Sequence, residues 1–283
     1  MIAHRIPGWL GALATLLSLT AWAAPAAAAP QVVVTVPPLY SLVESLMEGV
    51  GKPELLYDRP EDLESDLLGA TQTLELVTAD MVVWVGPELE RSLATALADM
   101  PHVRANAVTV GHHLPLLHAV PGSRWMSVVD ETGAAHDPQF WLDPRLAVMA
   151  VRHITPQLVK MDPDNCDTYL DNEIRLVGQL RKLEQDLQTR LAPLQGRAVA
   201  LAPDAPRYLA WRFGLVDARL DSTAANADVA VLELDALGYG AVRDGGSYFT
   251  LMERNLNTLL ATLEPEATPL VRTASRMKTA PAL

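Results

Sequence analysis

Short apolar runs rich in β-branched residues alternate with helical repeats along most of this chain, which restricts it to parallel α/β layers. Gln31 to Val36 is the clearest run: a continuous apolar segment, as expected of a strand buried on both faces. Pro37-Pro38 ends it. Leu39, Leu42, Val43, Leu46 and Met47 then recur at helical spacing, up to Gly49 and Gly51. A strand is predicted at 54–57, a helix at 71–78, a buried strand at 81–85, a helix at 88–98 and a short strand at 108–110. Asp143 and Pro144 suit the start of a helix, as N-cap and first-turn residue.

The longest helical pattern runs from Asp162 to Leu191. Leu170, Ile174, Val177, Leu180, Leu183, Leu187 and Leu191 fall three or four apart, with charged residues between them. A strand at 196–202, a helix at 206–213, a strand at 228–234 and a helix at 247–263 complete the order. The expected fold class is therefore α/β: two lobes with parallel sheets joined by one long connecting helix, the C-terminal lobe trimmed. The boundaries implied are 30–160 for the N-terminal α/β lobe, 161–194 for the connecting helix, 195–263 for the small C-terminal α/β lobe and 264–283 for a flexible tail. A single helix between lobes would limit hinge motion.

The first 29 residues stand apart. His4 and Arg5 precede an apolar run from Ile6 to Trp22, and a stretch of small residues follows to Ala29. This is the layout of a secretory signal peptide, cleaved after Ala23, Ala24 or Ala28. Cys166 is the only cysteine, so neither a leader-proximal lipid anchor nor an internal disulfide is available. A periplasmic location follows. The formal net charge of −12 disfavours nucleic acid as a partner. The chain also lacks the Gly-x-Ser-x-Gly, His-Glu-x-x-His and Walker-type patterns, and nothing else in it points to an enzyme.

Several segments together resemble the zinc/manganese substrate-binding proteins of ABC importers. Val33–Val43 is similar to that family's opening strand and helix, and Ala79–Glu90 to its best-preserved strand. Phe140 to Pro144 matches its Trp-Leu-Asp-Pro turn. Met161–Asn165 with Thr168 and Tyr169 resembles the start of its connecting helix. Asp204-Ala205 with Tyr208 to Leu215 resembles its first C-lobe helix, Leu234–Gly238 a late turn, and Tyr248–Leu260 its final helix. The matches occur in the right order over nearly all of the chain after the leader.

The resemblance implies a Zn²⁺ or Mn²⁺ ion between the lobes, held by three histidines and a carboxylate, a donor set that suits tetrahedral zinc. Transferred position by position, it leaves an altered site. Glu64 falls at the first histidine position, as an oxygen ligand or as a solvated acid beside Glu61, Asp62 and Asp66. Gln139 falls at the second, a neutral and weak donor. Pro203 falls at the third and has no donor at all. Asp235 matches the carboxylate, as a ligand or as the cap of the turn that follows it. His136, three residues before Gln139, is placed to approach the vacated position. The expected metal residues are thus Glu64, His136, Gln139 and Asp235.

His112, His113, His118 and His136 share the long segment 111–138, with Asp130, Glu131 and Asp137 nearby. They are either a weak metal-gathering loop or ordinary surface histidines. Trp141 reads as a packing anchor. The implied function is a periplasmic metal-binding component, monomeric, that delivers zinc or manganese to an ABC permease in the inner membrane. The alternative is a relative that no longer carries cargo and acts as a metallochaperone or a transporter-interaction protein. A metal-dependent hydrolase would need an open coordination position and a base, for which Glu64 is the sole candidate.

Overall fold

A computed structural model describes residues 29–130, 132–220 and 229–263. The expected signal peptide at 1–29, save its last residue, and the expected tail at 264–283 lie outside the described residues.

The N-terminal lobe is built on four parallel strands: β1 (Val32–Val34), β2 (Glu54–Leu55), β3 (Met81–Trp84) and β4 (Ala107–Thr109). They lie in the order β2-β1-β3-β4, with Val33 opposite Val82 and Val83 opposite Val108. Every residue of β1 and β3 is buried, as their unbroken apolar composition requires. Helices α1 (Pro37–Leu46), α2 (Pro60–Glu64), α3 (Ala70–Thr78), α4 (Arg91–Asp99) and α5 (Pro101–Ala105) fill the connections. Helix α1 starts at two prolines that need no backbone donor there.

Helix α4 begins three residues later than the periodicity predicts. The cause is Glu90, whose side chain turns inward and accepts hydrogen bonds from Thr35 Oγ1 at 2.5 Å, Val85 N at 3.0 Å and Gly86 N at 2.8 Å. It thereby ties together the chain ends that leave β1 and β3. Gly86 has φ +151°, and a Cβ there would stand 2.7 Å from Glu88 Oε2, so the turn after β3 requires glycine.

Helices α6 (Pro144–Met161) and α7 (Cys166–Leu191) follow and pack on each other. The helix predicted from Asp162 starts at Cys166 instead. Met161 ends α6, and a single 3₁₀ turn at Pro163–Asn165 separates the two. The Asp162 carboxylate holds that turn, accepting from Asn165 Nδ2 at 2.8 Å and Tyr169 Oη at 2.9 Å. Asn172 of α7 donates to the carbonyls of Leu46 and Glu48, both at 2.8 Å, and closes the C-terminal end of α1.

The C-terminal lobe carries a smaller parallel sheet in the order β6-β5-β7, from β5 (Ala198–Leu201), β6 (Val216–Asp217) and β7 (Ala230–Leu232). Helices α8 (Arg207–Arg212), α9 (Tyr239–Arg243) and α10 (Tyr248–Leu263) complete it.

The expected single connecting helix is not the sole link between the lobes. Helix α10 returns to pack on α1. Its first residue donates from Tyr248 N to Ser41 Oγ at 2.8 Å and from Tyr248 Oη to the Trp141 carbonyl at 2.7 Å. Trp141 is fully buried, lies edge-on to Phe140, and donates from Nε1 to the Ala236 carbonyl at 2.7 Å. Among the described residues, no helix is long and apolar enough to cross a membrane.

Candidate metal centre

The order β2-β1-β3-β4 reverses direction between β1 and β3, and open parallel sheets bind ligands in the crevice beyond the strand ends at such a point. Here the bottom of the crevice is closed by Glu90, fully buried, whose carboxyl is pushed up to about 7 by burial against the opposing pull of its three donors. Helix α2, the segment 111–139 and the loop between β5 and α8 meet around Arg124.

The described residues of segment 111–139 carry more regular structure than their composition indicates. They include 3₁₀ turns at Gly111–His113 and Arg124–Ser127 and an antiparallel bridge between His118 and His136. Tyr208 of α8 is buried and holds the segment twice: its hydroxyl donates to the Asp137 carbonyl at 2.7 Å and accepts from Leu117 N at 2.9 Å.

Glu64 is the last residue of α2. Its carboxylate is exposed and stands 3.7 Å from Nη1 of Arg124. Nε of the same guanidinium stands 3.8 Å from Asp204, whose carboxylate also accepts from Ser123 Oγ at 2.9 Å and Arg124 N at 2.7 Å. One arginine thus lies between a carboxylate of the N-terminal lobe and one of the C-terminal lobe.

Gln139 is buried at 2% exposure. Its Nε2 reaches the Asp204 carbonyl at 3.5 Å, and its Oε1 has no hydrogen-bond partner. A buried amide oxygen without a donor is a costly arrangement. Asp137 is also buried. Its Oδ1 accepts from Gln139 N at 2.9 Å, and its carboxyl is pushed up to about 7, by burial above all.

His136 is largely buried, with Nδ1 3.7 Å from Asp130 Oδ2 and its ring stacked on His118 at 5.2 Å. Asp130 is held below the usual carboxylate range, chiefly by hydrogen bonds from Thr132 and Ala134. His112 Nε2 stands 3.9 Å from Glu88, while His113 stacks on His153 of α6 at 3.9 Å. Asp235 has the geometry of the turn cap: Oδ1 accepts from Leu237 N at 3.1 Å and Gly238 N at 2.7 Å.

The expected set Glu64, His136, Gln139 and Asp235 is therefore not gathered into one donor cluster. Among the described residues, no three of the histidine, cysteine, aspartate and glutamate side chains are grouped so as to hold a metal ion. Each member has a local commitment instead: Glu64 to Arg124, His136 to Asp130 and His118, and Asp235 to the turn. Arg124 and the Asp204 carboxylate escape sequence reasoning. Arg124 is an isolated basic residue in an irregular segment, and only its approach to residues 60 and 80 positions away gives it meaning. Asp204 carries a faint signal, since it directly follows Pro203.

Comparison with known proteins matches the same frame. A sequence model of the family described as zinc-uptake complex component A, periplasmic, matches residues 32–227. The high-affinity zinc uptake system protein ZnuA of Paracoccus denitrificans (strain Pd 1222) is 28% identical over 210 residues, covering 66% of this chain and 64% of that protein. ZnuA of Bacillus subtilis (strain 168) is 26% identical over 189 residues, covering 65% and 58%. The chain thus spans somewhat under two thirds of the length of these relatives. Among solved structures, the Zn(II)-bound ZnuA-like domain of Streptococcus pneumoniae AdcA superposes with a TM-score of 0.64 at 21% identity, covering 83% of this chain and 99% of that domain. Zn(II)-bound AdcA from the same organism gives 0.64 at 20% identity, covering 83% and 58%. At these identities the structures speak for the fold, and the match over residues 32–227 speaks for kinship: the chain belongs to the family of zinc-uptake complex component A, periplasmic.

Proposed function

We propose that this protein is the solute-binding component of zinc uptake by an ABC importer, acting in the periplasm with an altered and weak metal site. The observation that carries the reading is Gln139 Oε1, buried and unpartnered at the position that the family resemblance gives to a ligand, with Nε2 of the same amide on the Asp204 carbonyl. Asp204, whose backbone carbonyl accepts from Gln139 Nε2, and Glu64, which shares Arg124 with it, are the carboxylates of the reading. Such a site has oxygen donors where the family implies imidazoles, which lowers its affinity for zinc and narrows its preference over manganese. His136 is committed to Asp130 and His118, and Asp235 caps the turn whose Ala236 carbonyl accepts from Trp141 Nε1. Carriage of a cation requires no bond-making chemistry, only capture, docking on a permease of the inner membrane and release.

Pro203 and the small three-stranded C-terminal sheet favour a second reading, in which the chain has kept the fold and given up the cargo, acting on a transporter or as a metallochaperone. Calorimetric titration with zinc at neutral pH separates the two. One-to-one binding that disappears in Gln139→Ala supports the carrier. Silence up to high-micromolar zinc leaves the second reading.

A further inference from the structure

The structure assigns Arg124 the role of an internal counter-cation that stands between Glu64 of the N-terminal lobe and Asp204 of the C-terminal lobe and competes with a divalent cation for these carboxylates. This inference rests on the carrier reading and adds a residue that regulates affinity at the same site.

Several features hold Arg124 in place. Gly122, at φ +86°, turns the chain toward the C-terminal lobe, where a Cβ on it would stand 3.9 Å from Pro203 Cγ. Ser123 Oγ and Arg124 N both bind the Asp204 carboxylate, so the loop is seated on the residue that follows Pro203. Trp125 is buried beneath, and the Arg124 guanidinium carbon lies 4.5 Å from the centroid of its ring, a cation–π arrangement. Arg91 pins the loop from behind through Ser127 Oγ and the Arg124 carbonyl.

The charge around the guanidinium is lopsided. A cavity of about 290 Å³ beside it is lined by Glu64, Asp66 and Glu88 against Arg91 and Arg124. That lining holds three carboxylates against two guanidinium groups, and Asp204 lies outside it, 3.8 Å from Arg124 Nε. The ion pairs of Arg124 are 3.7 and 3.8 Å long and half exposed, so each is individually weak. A weak, monovalent and tethered cation suits a competitor: it neutralises these carboxylates when no metal is present and yields to a divalent ion of higher charge. The pairing also joins the lobes, because Glu64 ends α2 and Asp204 precedes α8.

The test compares zinc affinities of the full chain and of Arg124→Gln and Arg124→Lys variants, using a competing fluorescent chelator at neutral pH, with the zinc-induced shift in Tm as a second readout. Arg124→Gln is expected to bind zinc at least tenfold more tightly than the unaltered protein, with a correspondingly larger Tm shift. Arg124→Lys keeps the charge and is expected to stay within about threefold. Measurable binding by the unaltered protein with no gain in Arg124→Gln overturns the counter-cation role and leaves the carrier reading standing. Absence of binding in every variant overturns both. Equal gains in Gln and Lys variants also overturn the inference, because loop disruption rather than charge would then explain them.

Discussion

The carboxylate of Asp143 caps helix α6 through Arg145 N at 2.9 Å and is simultaneously paired with the guanidinium of Arg212 on α8, whose Nε lies 2.7 Å away. Asp143 is fully buried, Arg212 mostly so, and the pair bridges the Trp-Leu-Asp-Pro turn to the C-terminal lobe. Removing one partner strands the other without solvent. Arg212→Ala is expected to lower unfolding stability by about 3 kcal/mol, measured by urea denaturation. A loss below about 0.5 kcal/mol would show that the pair does not hold the lobes.

Tyr248 makes the second seam. Its hydroxyl is the donor to the buried Trp141 carbonyl, and Trp141 in turn reaches the Ala236 carbonyl. Tyr248→Phe keeps the ring and leaves that carbonyl unpartnered, at a cost of about 1–3 kcal/mol. Hydrogen exchange checks the location: faster exchange is expected at the start of α10, with α7 unchanged.

Glu90 gives stability a pH dependence of a definite sign. Its carboxyl is raised to about 7 in the folded protein and lies near the ordinary carboxylate value when unfolded. Between those values the unfolded chain binds fewer protons than the folded one. The contribution is therefore complete below the unfolded value and is lost as pH rises through about 7. Tm is expected to fall from pH 5 to pH 8, with a shallower slope in Glu90→Gln. A Tm that rises over this interval, or an unchanged slope in the variant, contradicts the assignment.

His153 is expected to titrate below an ordinary histidine, because burial disfavours its charge and His113 stacks on it at 3.9 Å. Proton NMR titration of the imidazoles reads this directly. His113→Ala should move the His153 transition upward, and a transition that stays put shows that the neighbouring ring contributes nothing.

Gln139 is the position at which one substitution tests the proposed site most directly. Gln139→His places a borderline nitrogen donor where an unpartnered oxygen now lies. Zinc affinity is expected to rise at least tenfold by chelator competition, with selectivity over manganese increasing alongside. Equal affinities in the two proteins would mean that Oε1 does not face the cation.

Local chemistry sufficed for the elements themselves. Unbroken, β-branched apolar runs at Val32–Val34 and Met81–Trp84 fit strands buried on both faces, and the apolar spacing in Cys166–Leu191 fits an amphipathic helix, as the structure has them. The choice that spacing left open at Asp235, ligand or cap, is resolved by two backbone donors two and three residues away, a short-range geometry. The starts of α4 and α7 were misplaced because a side chain, Glu90 in one case and Asp162 in the other, bonds elsewhere than a helix periodicity implies.

What the sequence determined on its own is the layering and the alternation of strand and helix, since both are written in local apolar spacing. Tertiary structure alone decided that α10 sews the lobes together and that Arg124 meets Glu64 and Asp204. The physical reason is range: hydrophobic periodicity is written within a few residues, whereas the partner of a lone charge is chosen by chain crossings some 60 to 80 residues long, which leave no local trace.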